Sequence, residues 1–168
     1  ERAEVLLGDG TGKFTVVPNN GLHELGVINV TGMSFLDYDK DGNIDLFIAR
    51  WFQHYGSNTM TPGILMKGNG DGTFTDVSAQ AGITKPEPMY GVSAVDWDND
   101  GWPDIATAPY CRTNGQLWKN NGDGTFTDVA AQAGYNARYL PGDNGQTMCL
   151  WSAVPEDYDN DGDMDFYF

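Results

Sequence analysis

The feature that most constrains this chain is a nine-residue acidic motif that occurs three times at nearly constant spacing. The copies read DYDKDGNID from Asp37, DWDNDGWPD from Asp96 and DYDNDGDMD from Asp157. Successive copies start 59 and 61 residues apart, so one structural unit repeats along the chain. A repeat of this length is typical of folds that stack one supersecondary unit several times.

A second, glycine-rich motif alternates with the acidic one. It reads GDGTGKFTVV around Phe14 and NGDGTFTDV around both Phe74 and Phe126. Apolar runs of strand length flank both motifs, and a Gly-Asp-Gly segment between two such runs favours a hairpin turn. Each unit therefore predicts four antiparallel strands, A to D, with the acidic loop between A and B and the glycine turn between C and D. Four short strands per repeat are typical of a β-propeller blade.

Composition supports an all-β fold and excludes several other classes. With 22 Gly and 8 Pro among 168 residues the chain is too rich in helix breakers for a helical bundle, and 40 % hydrophobic residues are too many for a disordered acidic tail. A net charge of −15 argues against nucleic-acid or anionic membrane surfaces as partners. No apolar run reaches the roughly 18 residues of a membrane-spanning helix.

The predicted strands form about three blades in one domain, residues 1–168. Two blades are whole, at about 29–77 and 90–129, whereas the third is split between 149–168, which supplies A and B, and 1–17, which supplies C and D. Propellers usually contain about four to eight blades. If the chain is complete, we expect its ends to pair between copies, giving a homo-oligomeric ring or a filament. Otherwise, further blades belong to a longer chain.

The acidic motif has the composition of a loop that binds a hard divalent cation. Four carboxylates converge, and the glycine permits a sharp turn that brings the next backbone carbonyl inward. Oxygen ligands alone favour calcium, with magnesium second. An EF-hand does not fit, because its glutamate position holds Ile48, Thr107 and Phe168. The remaining alternative, acidic turns without metal, does not explain three copies at constant spacing.

The three predicted Ca²⁺ sites take one backbone carbonyl and four side chains from each loop. The carbonyl donors are Asn43, Trp102 and Asp163. The side-chain donors are Asp37, Asp39, Asp41 and Asp45, then Asp96, Asp98, Asp100 and Asp104, then Asp157, Asp159, Asp161 and Asp165.

Together the two motifs resemble the FG-GAP/VCBS repeats of integrin-α-type β-propellers. The string NGDGTFTDVSAQAGI from Asn69 is similar to the cartilage-acidic-protein branch of that family in particular. The resemblance spans nearly the whole chain and implies a calcium-stabilised propeller of secreted or cell-surface proteins, often adhesive. The family also includes lectin-like and enzyme-associated members, so the fold leaves the activity open.

We therefore expect a non-enzymatic, calcium-dependent structural or adhesion module that is extracellular or on the cell surface. A carbohydrate-binding propeller is the main alternative, with Trp97 and Trp102 beside the second loop as stacking platforms. A hydrolase or lyase comes third. The recurring Ser34, Ser93 and Ser152 on strand A predict packing residues, and no histidine has an evident nucleophilic partner.

Two long connections, 50–63 and 135–145, are expected at the end opposite the acidic loops. They form either a surface for a glycan or protein ligand or the packing between blades. Their candidate residues are Trp51, Phe52, His54, Tyr55, Tyr135, Arg138 and Tyr139.

Two further features bear on the compartment. Cys111 and Cys149 fall at similar depths on strands of adjacent blades, which predicts a disulfide and an oxidising environment. Asn29 begins the sequon Asn29-Val30-Thr31, a candidate N-glycosylation site that requires a surface position.

Overall fold

The computed structural model describes residues 4–25, 29–54, 56–111, 113–135 and 149–168. Regular structure in these ranges consists of β-strands and one turn of 3-10 helix, His23–Leu25. Within the same ranges, no helix has the length and hydropathy needed to span a membrane. The predicted all-β class is confirmed.

In the described ranges, twelve strands form two four-stranded antiparallel sheets and two separate hairpins. The first sheet, here the first blade, contains β3 to β6, and the second blade contains β7 to β10. The strands are β1 Leu6–Gly8, β2 Phe14–Val16, β3 Val30–Leu36, β4 Asp45–Arg50, β5 Ile64–Gly68, β6 Phe74–Asp76, β7 Met89–Val95, β8 Asp104–Pro109, β9 Leu117–Asn120, β10 Phe126–Asp128, β11 Val154–Glu156 and β12 Asp165–Tyr167.

The second strand of each blade is the most deeply buried. All residues of β8 are buried, and so are all residues of β4 except Arg50. Both strands are mainly apolar without strict alternation, which is the pattern of a strand covered on both faces. Each blade is therefore packed between neighbours.

The two blades pack through their first strands, the second blade packs in the same way on the segment before β11, and a glycine permits each close approach. A Cβ at Gly32 would lie 3.1 Å from the Tyr90 carbonyl oxygen, and one at Gly91 would lie 2.5 Å from the Trp151 carbonyl oxygen. Ser34 lies in the first of these contacts and Ser93 in the second. The Ala94 amide donates to Ser34 Oγ at 3.0 Å, and Ser93 Oγ donates to the Ala153 carbonyl oxygen at 2.6 Å.

The third strand A begins later than the sequence pattern predicts. The prediction placed Ser152 on this strand as the third recurring serine, whereas β11 runs from Val154 to Glu156. Glu156 pairs with Asp165 in the way that Leu36 pairs with Asp45. Val154 rather than Ser152 therefore occupies the place of Ser34, and Pro155 and Glu156 occupy the places of Phe35 and Leu36.

The two hairpins lie at opposite ends of the blade pair and do not pair with each other. The segment that contains β1 and β2 covers the first blade, where Val5 packs on a cluster with Leu46 and Met66. The hairpin of β11 and β12 covers the second blade, where Phe166 packs on a cluster with Leu117. In the described chain, the order is hairpin, blade, blade, hairpin.

A disulfide joins the second blade to the last hairpin. Cys111 follows β8 and Cys149 precedes β11, and the two residues are bonded with their Cα atoms 4.0 Å apart. Beside them, the Leu150 amide donates to the Pro109 carbonyl oxygen at 3.3 Å. The covalent bond thus fixes the start of the last hairpin.

Candidate metal-binding loops

The first aspartate of each acidic loop folds the loop around its own carboxylate. Asp37 accepts the amides of Asp41 and Gly42, both at 3.1 Å. Asp96 and Asp157 accept the corresponding amides of their own loops. The carboxylates therefore converge because hydrogen bonds within each loop turn the backbone around them.

Two left-handed residues shape each turn. The fourth position has positive φ in every loop, 56° at Lys40, 58° at Asn99 and 60° at Asn160, and the sixth is a glycine. The φ values at the glycines are 86° for Gly42, 88° for Gly101 and 96° for Gly162. An L side chain rarely adopts such angles, so the glycine in the motif is a backbone requirement.

The last aspartate of the motif has a structural role that the sequence pattern did not reveal. Asp45 begins β4 and is fully buried, and its two oxygens accept the amides of Tyr38 at 2.9 Å and Gly68 at 2.8 Å. It therefore ties the start of the acidic loop to strand C of the same blade. This bond to strand C can be identified only when the pairing of the strands is known.

The other two final aspartates show what strand C contributes. Asp104 accepts the amides of Trp97 at 3.3 Å and Asn120 at 2.7 Å. Asp165 accepts the amide of Tyr158 at 3.1 Å. Within the described residues no strand C lies beside β12, so the third loop lacks the second of these bonds.

Each loop brings three carboxylates together, with one oxygen of each within 4.8 Å of the others. The clusters are Asp37, Asp39 and Asp41; Asp96, Asp98 and Asp104; and Asp157, Asp159 and Asp165. The predicted ligands outside the clusters are Asp45, Asp100 and Asp161. The amides of Asn43, Trp102 and Asp163 donate to the aspartate at the fifth position of their loops, and coordination by their carbonyls stays a prediction.

One buried atom of the second loop bears on whether the loop fits a cation. Oδ1 of Asp98 is buried and has no hydrogen-bond partner among the described residues. A buried carboxylate oxygen without a donor costs free energy unless a cation satisfies it. Hard cations such as Ca²⁺ take six to eight oxygen ligands, and this loop offers carboxylates without sulfur or imidazole. The donor set therefore fits calcium.

A lysine on strand C faces the acidic loop of each whole blade. Lys67 Nζ contacts Asp39 and lies 2.7 Å from Asp41 Oδ2. Lys119 Nζ contacts Asp98 and lies 2.7 Å from Asp100 Oδ2. These ion pairs reduce the repulsion between the carboxylates. In β1, Leu7 has the place of Lys67, since Leu7 pairs with Thr15 as Lys67 pairs with Thr75.

The local environment moves the carboxyl pKa values in opposite directions. Hydrogen bonding by Lys67 lowers the pKa of Asp41, and hydrogen bonding by Lys119 lowers that of Asp100. Burial raises the pKa of Asp45, and burial raises the pKa of Asp104 to about 6. Each loop of a whole blade therefore combines an exposed carboxylate that ionises easily with a buried one that ionises reluctantly.

Comparison with known families agrees with this geometry. The FG-GAP-like repeat matches twice, over residues 37–107 and 96–168, and each match starts on the first aspartate of an acidic loop. The chain belongs to the FG-GAP-like repeat family. No curated protein matches the chain.

Neighbouring FG-GAP-like loops also contact each other. Lys40 of the first loop places its ammonium 4.0 Å from the ring centre of Trp102 in the second loop. Asn99 of the second loop donates through Nδ2 to the Gly162 carbonyl oxygen of the third at 3.0 Å. The fourth loop position therefore reaches the next repeat. Of the two tryptophans considered for glycan stacking, Trp97 packs on an apolar cluster and Trp102 has Lys40 over one face.

The connections at the other end of the FG-GAP-like repeats contribute packing between blades. Trp51 and Phe52 make edge contacts with Tyr110 of the second blade, at 5.4 and 5.7 Å between ring centres. Tyr135 is buried, packs on Phe166, and donates through Oη to the Thr107 carbonyl oxygen at 3.0 Å. His54 is exposed. The remaining candidates, Tyr55, Arg138 and Tyr139, lie outside the described residues.

The candidate glycosylation residue is engaged in the sheet region. Asn29 Nδ2, the atom to which a glycan would be attached, donates to the Phe52 carbonyl oxygen at 3.1 Å. The side chain is partly buried. Glycosylation of Asn29 stays a prediction.

Proposed function

We propose that this chain is a calcium-binding structural module of an extracellular, adhesion-type β-propeller protein. The buried Oδ1 of Asp98, which lacks a donor among the described residues, is the observation that carries the proposal. A cation in the cluster of Asp96, Asp98 and Asp104 supplies the missing partner. The role is structural, because the carboxylates that hold the ion are the same groups that fold the loops.

The charge balance supports the same role. The three loops hold 13 of the 24 acidic residues of a chain with net charge −15, so three divalent ions neutralise much of the local repulsion. An ion that binds the folded state alone stabilises it by about 2.7 kcal/mol per site at a hundredfold excess over Kd. Calcium binding and folding are therefore coupled.

The extracellular assignment rests on two observations. Cys111 and Cys149 form a disulfide, and such bonds persist mainly in oxidising compartments. Membership in the FG-GAP-like repeat family agrees with an adhesion-type module. Mass spectrometry of the protein secreted from eukaryotic cells tests the bond, and two alkylatable thiols in the unreduced, denatured chain would contradict it.

Calcium titration by calorimetry, combined with thermal unfolding, tests the proposal. We expect three bound ions and a sharp fall of the unfolding temperature when EDTA removes them. Asp98→Ala is expected to lose one ion. Asp123→Ala is the matched control, because it removes the same charge from a glycine turn whose aspartate instead accepts bonds from Thr125. No heat of binding, together with an unfolding temperature that EDTA leaves unchanged, would overturn the proposal.

A further inference from the structure

A buried asparagine lies between the first two acidic loops. Asn120 is in β9, the third strand of the second blade, and it is 0 % exposed. Its Nδ2 donates across the blade boundary to the Tyr38 carbonyl oxygen of the first loop, at 2.8 Å. The same atom donates to the Pro103 carbonyl oxygen of the second loop, at 3.1 Å. One side-chain amide therefore bonds the backbones of two candidate cation loops.

The remaining polar groups of Asn120 hold the second loop and its glycine turn. The backbone amide donates to Oδ1 of Asp104 at 2.7 Å, and the side-chain Oδ1 accepts the Gly122 amide at 2.9 Å. Both donors and the acceptor of the side chain are thus used, which fixes its orientation. A buried network that is satisfied in this way holds its members in one arrangement.

The two bonded carbonyls lie next to the carboxylates of the clusters. Tyr38 stands between Asp37 and Asp39, which are both members of the first cluster. The other carbonyl belongs to the residue directly before Asp104, a member of the second cluster. A displacement of either loop therefore moves Asn120, and with it the backbone of the other loop.

Two aromatic contacts cross the same blade boundary. The Tyr38 ring is buried, and its centre lies 6.0 Å from that of Phe126 in β10. Lys40 places its ammonium over the Trp102 ring, and a Cβ at Gly122 would lie 3.0 Å from Trp102 Nε1. The indole is thus held between the first loop and the glycine turn of the second blade. The first loop is docked on the second blade by side chains as well as by backbone.

The repeat itself does not require an asparagine at this place. Asn120 pairs with Phe126 as Gly68 pairs with Phe74, so Gly68 is the equivalent residue of the first blade. A Cβ at Gly68 would meet the Ile44 carbonyl oxygen at 2.1 Å, so no side chain fits there. The bond between loops is therefore a feature of the boundary between the two whole blades, added to the common fold.

We infer that the first and second loops bind their cations as a positively coupled pair, and that Asn120 is the positioning residue that couples them. The inference rests on the proposed function, because it concerns the same cation sites. Occupation of one loop fixes its backbone, and Asn120 then holds the facing backbone of the other loop. Part of the ordering cost of the second loop is therefore met before its ion binds.

Electrostatics alone gives a coupling of the opposite sign. A bound divalent ion reduces the negative potential at the neighbouring loop, so a second ion would bind more weakly. Salt at physiological strength screens exposed charges over about 8 Å, which limits this repulsion and leaves a buried hydrogen-bonded link intact. Positive coupling therefore distinguishes the link through Asn120 from an interaction of charges.

Calcium calorimetry at physiological salt measures the coupling. All samples carry Asp159→Ala, which disables the third loop, while Asp39→Ala leaves only the second loop and Asp98→Ala leaves only the first. The coupling factor is the product of the two stepwise binding constants of the two-loop chain, divided by the product of the two single-loop constants. This ratio does not depend on which loop fills first. We expect a factor of about five or more.

Asn120→Ala, introduced into all three proteins, is expected to bring the factor to one or below. Asn120→Gly is a second variant in case the alanine variant fails to fold, because glycine is the residue of the first blade at this place. Asn20→Ala is the matched control. Asn20 is also 0 % exposed, and its side chain bonds the Val17 carbonyl oxygen and the Leu22 amide, away from the acidic loops. The control is expected to lower the unfolding temperature and keep the factor.

The outcomes separate this inference from the proposed function. A factor of one or below in the two-loop chain, a factor that persists in a folded Asn120 variant, or an equal loss of the factor in Asn20→Ala would overturn the inference alone. No heat of calcium binding in any sample would overturn the proposed function, and the inference with it.

Discussion

The whole blades and the end hairpins contain the same repeat, yet their side chains have different environments. Phe47 in β4 and Tyr167 in β12 occupy the same register position, one 0 % and the other 79 % exposed. The motif therefore specifies the local strand and turn, whereas burial depends on whether the next strand is present. Strand C is the element that makes the difference, because it covers strand B and bonds the final aspartate of the acidic loop.

The largest expected effect comes from truncating the two equivalent aromatic residues. Phe47→Ala should lower the free energy of unfolding by about 3–5 kcal/mol, because it opens a cavity in a packed interior. Tyr167→Ala should change it by less than about 0.5 kcal/mol in the dissociated chain, because the ring is exposed. Urea unfolding at a concentration below any assembly measures both values. Equal losses at the two positions would show that the contrast in burial is not real.

The buried aspartate of the second loop predicts a pH effect in EDTA. Burial raises the pKa of Asp104 from 3.8 to about 6, so the folded state holds a proton that the unfolded state has released. The corresponding stability is present below about pH 4 and is lost as the pH rises through 6, by at most about 3 kcal/mol.

This effect is measured as the change in unfolding free energy between pH 4 and 7, compared between the unaltered chain and Asp104→Asn. Asp104→Asn should remove the part of the slope that belongs to Asp104, and saturating calcium should suppress it in the unaltered chain. Identical slopes for both proteins in EDTA would contradict the assigned shift.

Alanine at the two seam glycines compares the blade–blade contact with the blade–hairpin contact. A Cβ at Gly91 meets the Trp151 carbonyl oxygen at 2.5 Å, whereas one at Gly32 meets the nearest atom at 3.1 Å. Gly91→Ala should therefore cost about 1–3 kcal/mol and Gly32→Ala less, since backbone must move at Gly91. Hydrogen exchange of β11 and β12 should rise in Gly91→Ala alone. An equal rise of exchange in both variants would show that the close contact at Gly91 is not what holds β11 and β12 in place.

The smallest expected effect concerns the strand C lysines. Lys119→Met removes an ammonium that contacts Asp98 and Asp100, so calcium should bind the second loop several-fold more tightly. The cost to the calcium-free fold should be small, because the ion pairs are partly exposed. Lys85→Met is the control, since Lys85 pairs with Asp128 outside the acidic loops. Weaker calcium binding in Lys119→Met would mean that the lysine supports the loaded site.

The motif positions that depend on local backbone geometry were predictable from the sequence. The glycines at the sixth loop position, the Gly-Asp-Gly hairpins and the strand order within a blade follow from turn chemistry and short-range pairing. Cys111 and Cys149 were predictable as a pair because strand rise places them at similar depths. These features need only a few neighbouring residues to define them.

Other features required contacts between distant segments. The sequence marks Asp45 as a ligand, but only the pairing of β4 with β5 reveals that its oxygens hold the amides of Tyr38 and Gly68. Pro155 and Glu156 occupy strand positions that are apolar in the other two copies, so aligning the apolar runs placed the third strand A two residues too early.

The sequence by itself determined the repeat, the acidic loops and the all-β class, because turn geometry and charge convergence depend only on nine to fifteen neighbouring residues. The tertiary structure alone decided which carboxylates cluster, which lysine faces each loop and which aromatic residues are covered. Those outcomes depend on a strand C that lies 20 or more residues away along the chain, as Lys67 does from Asp39. Burial and ion-pairing are properties of neighbours in space, and no local pattern encodes whether such a neighbour is present.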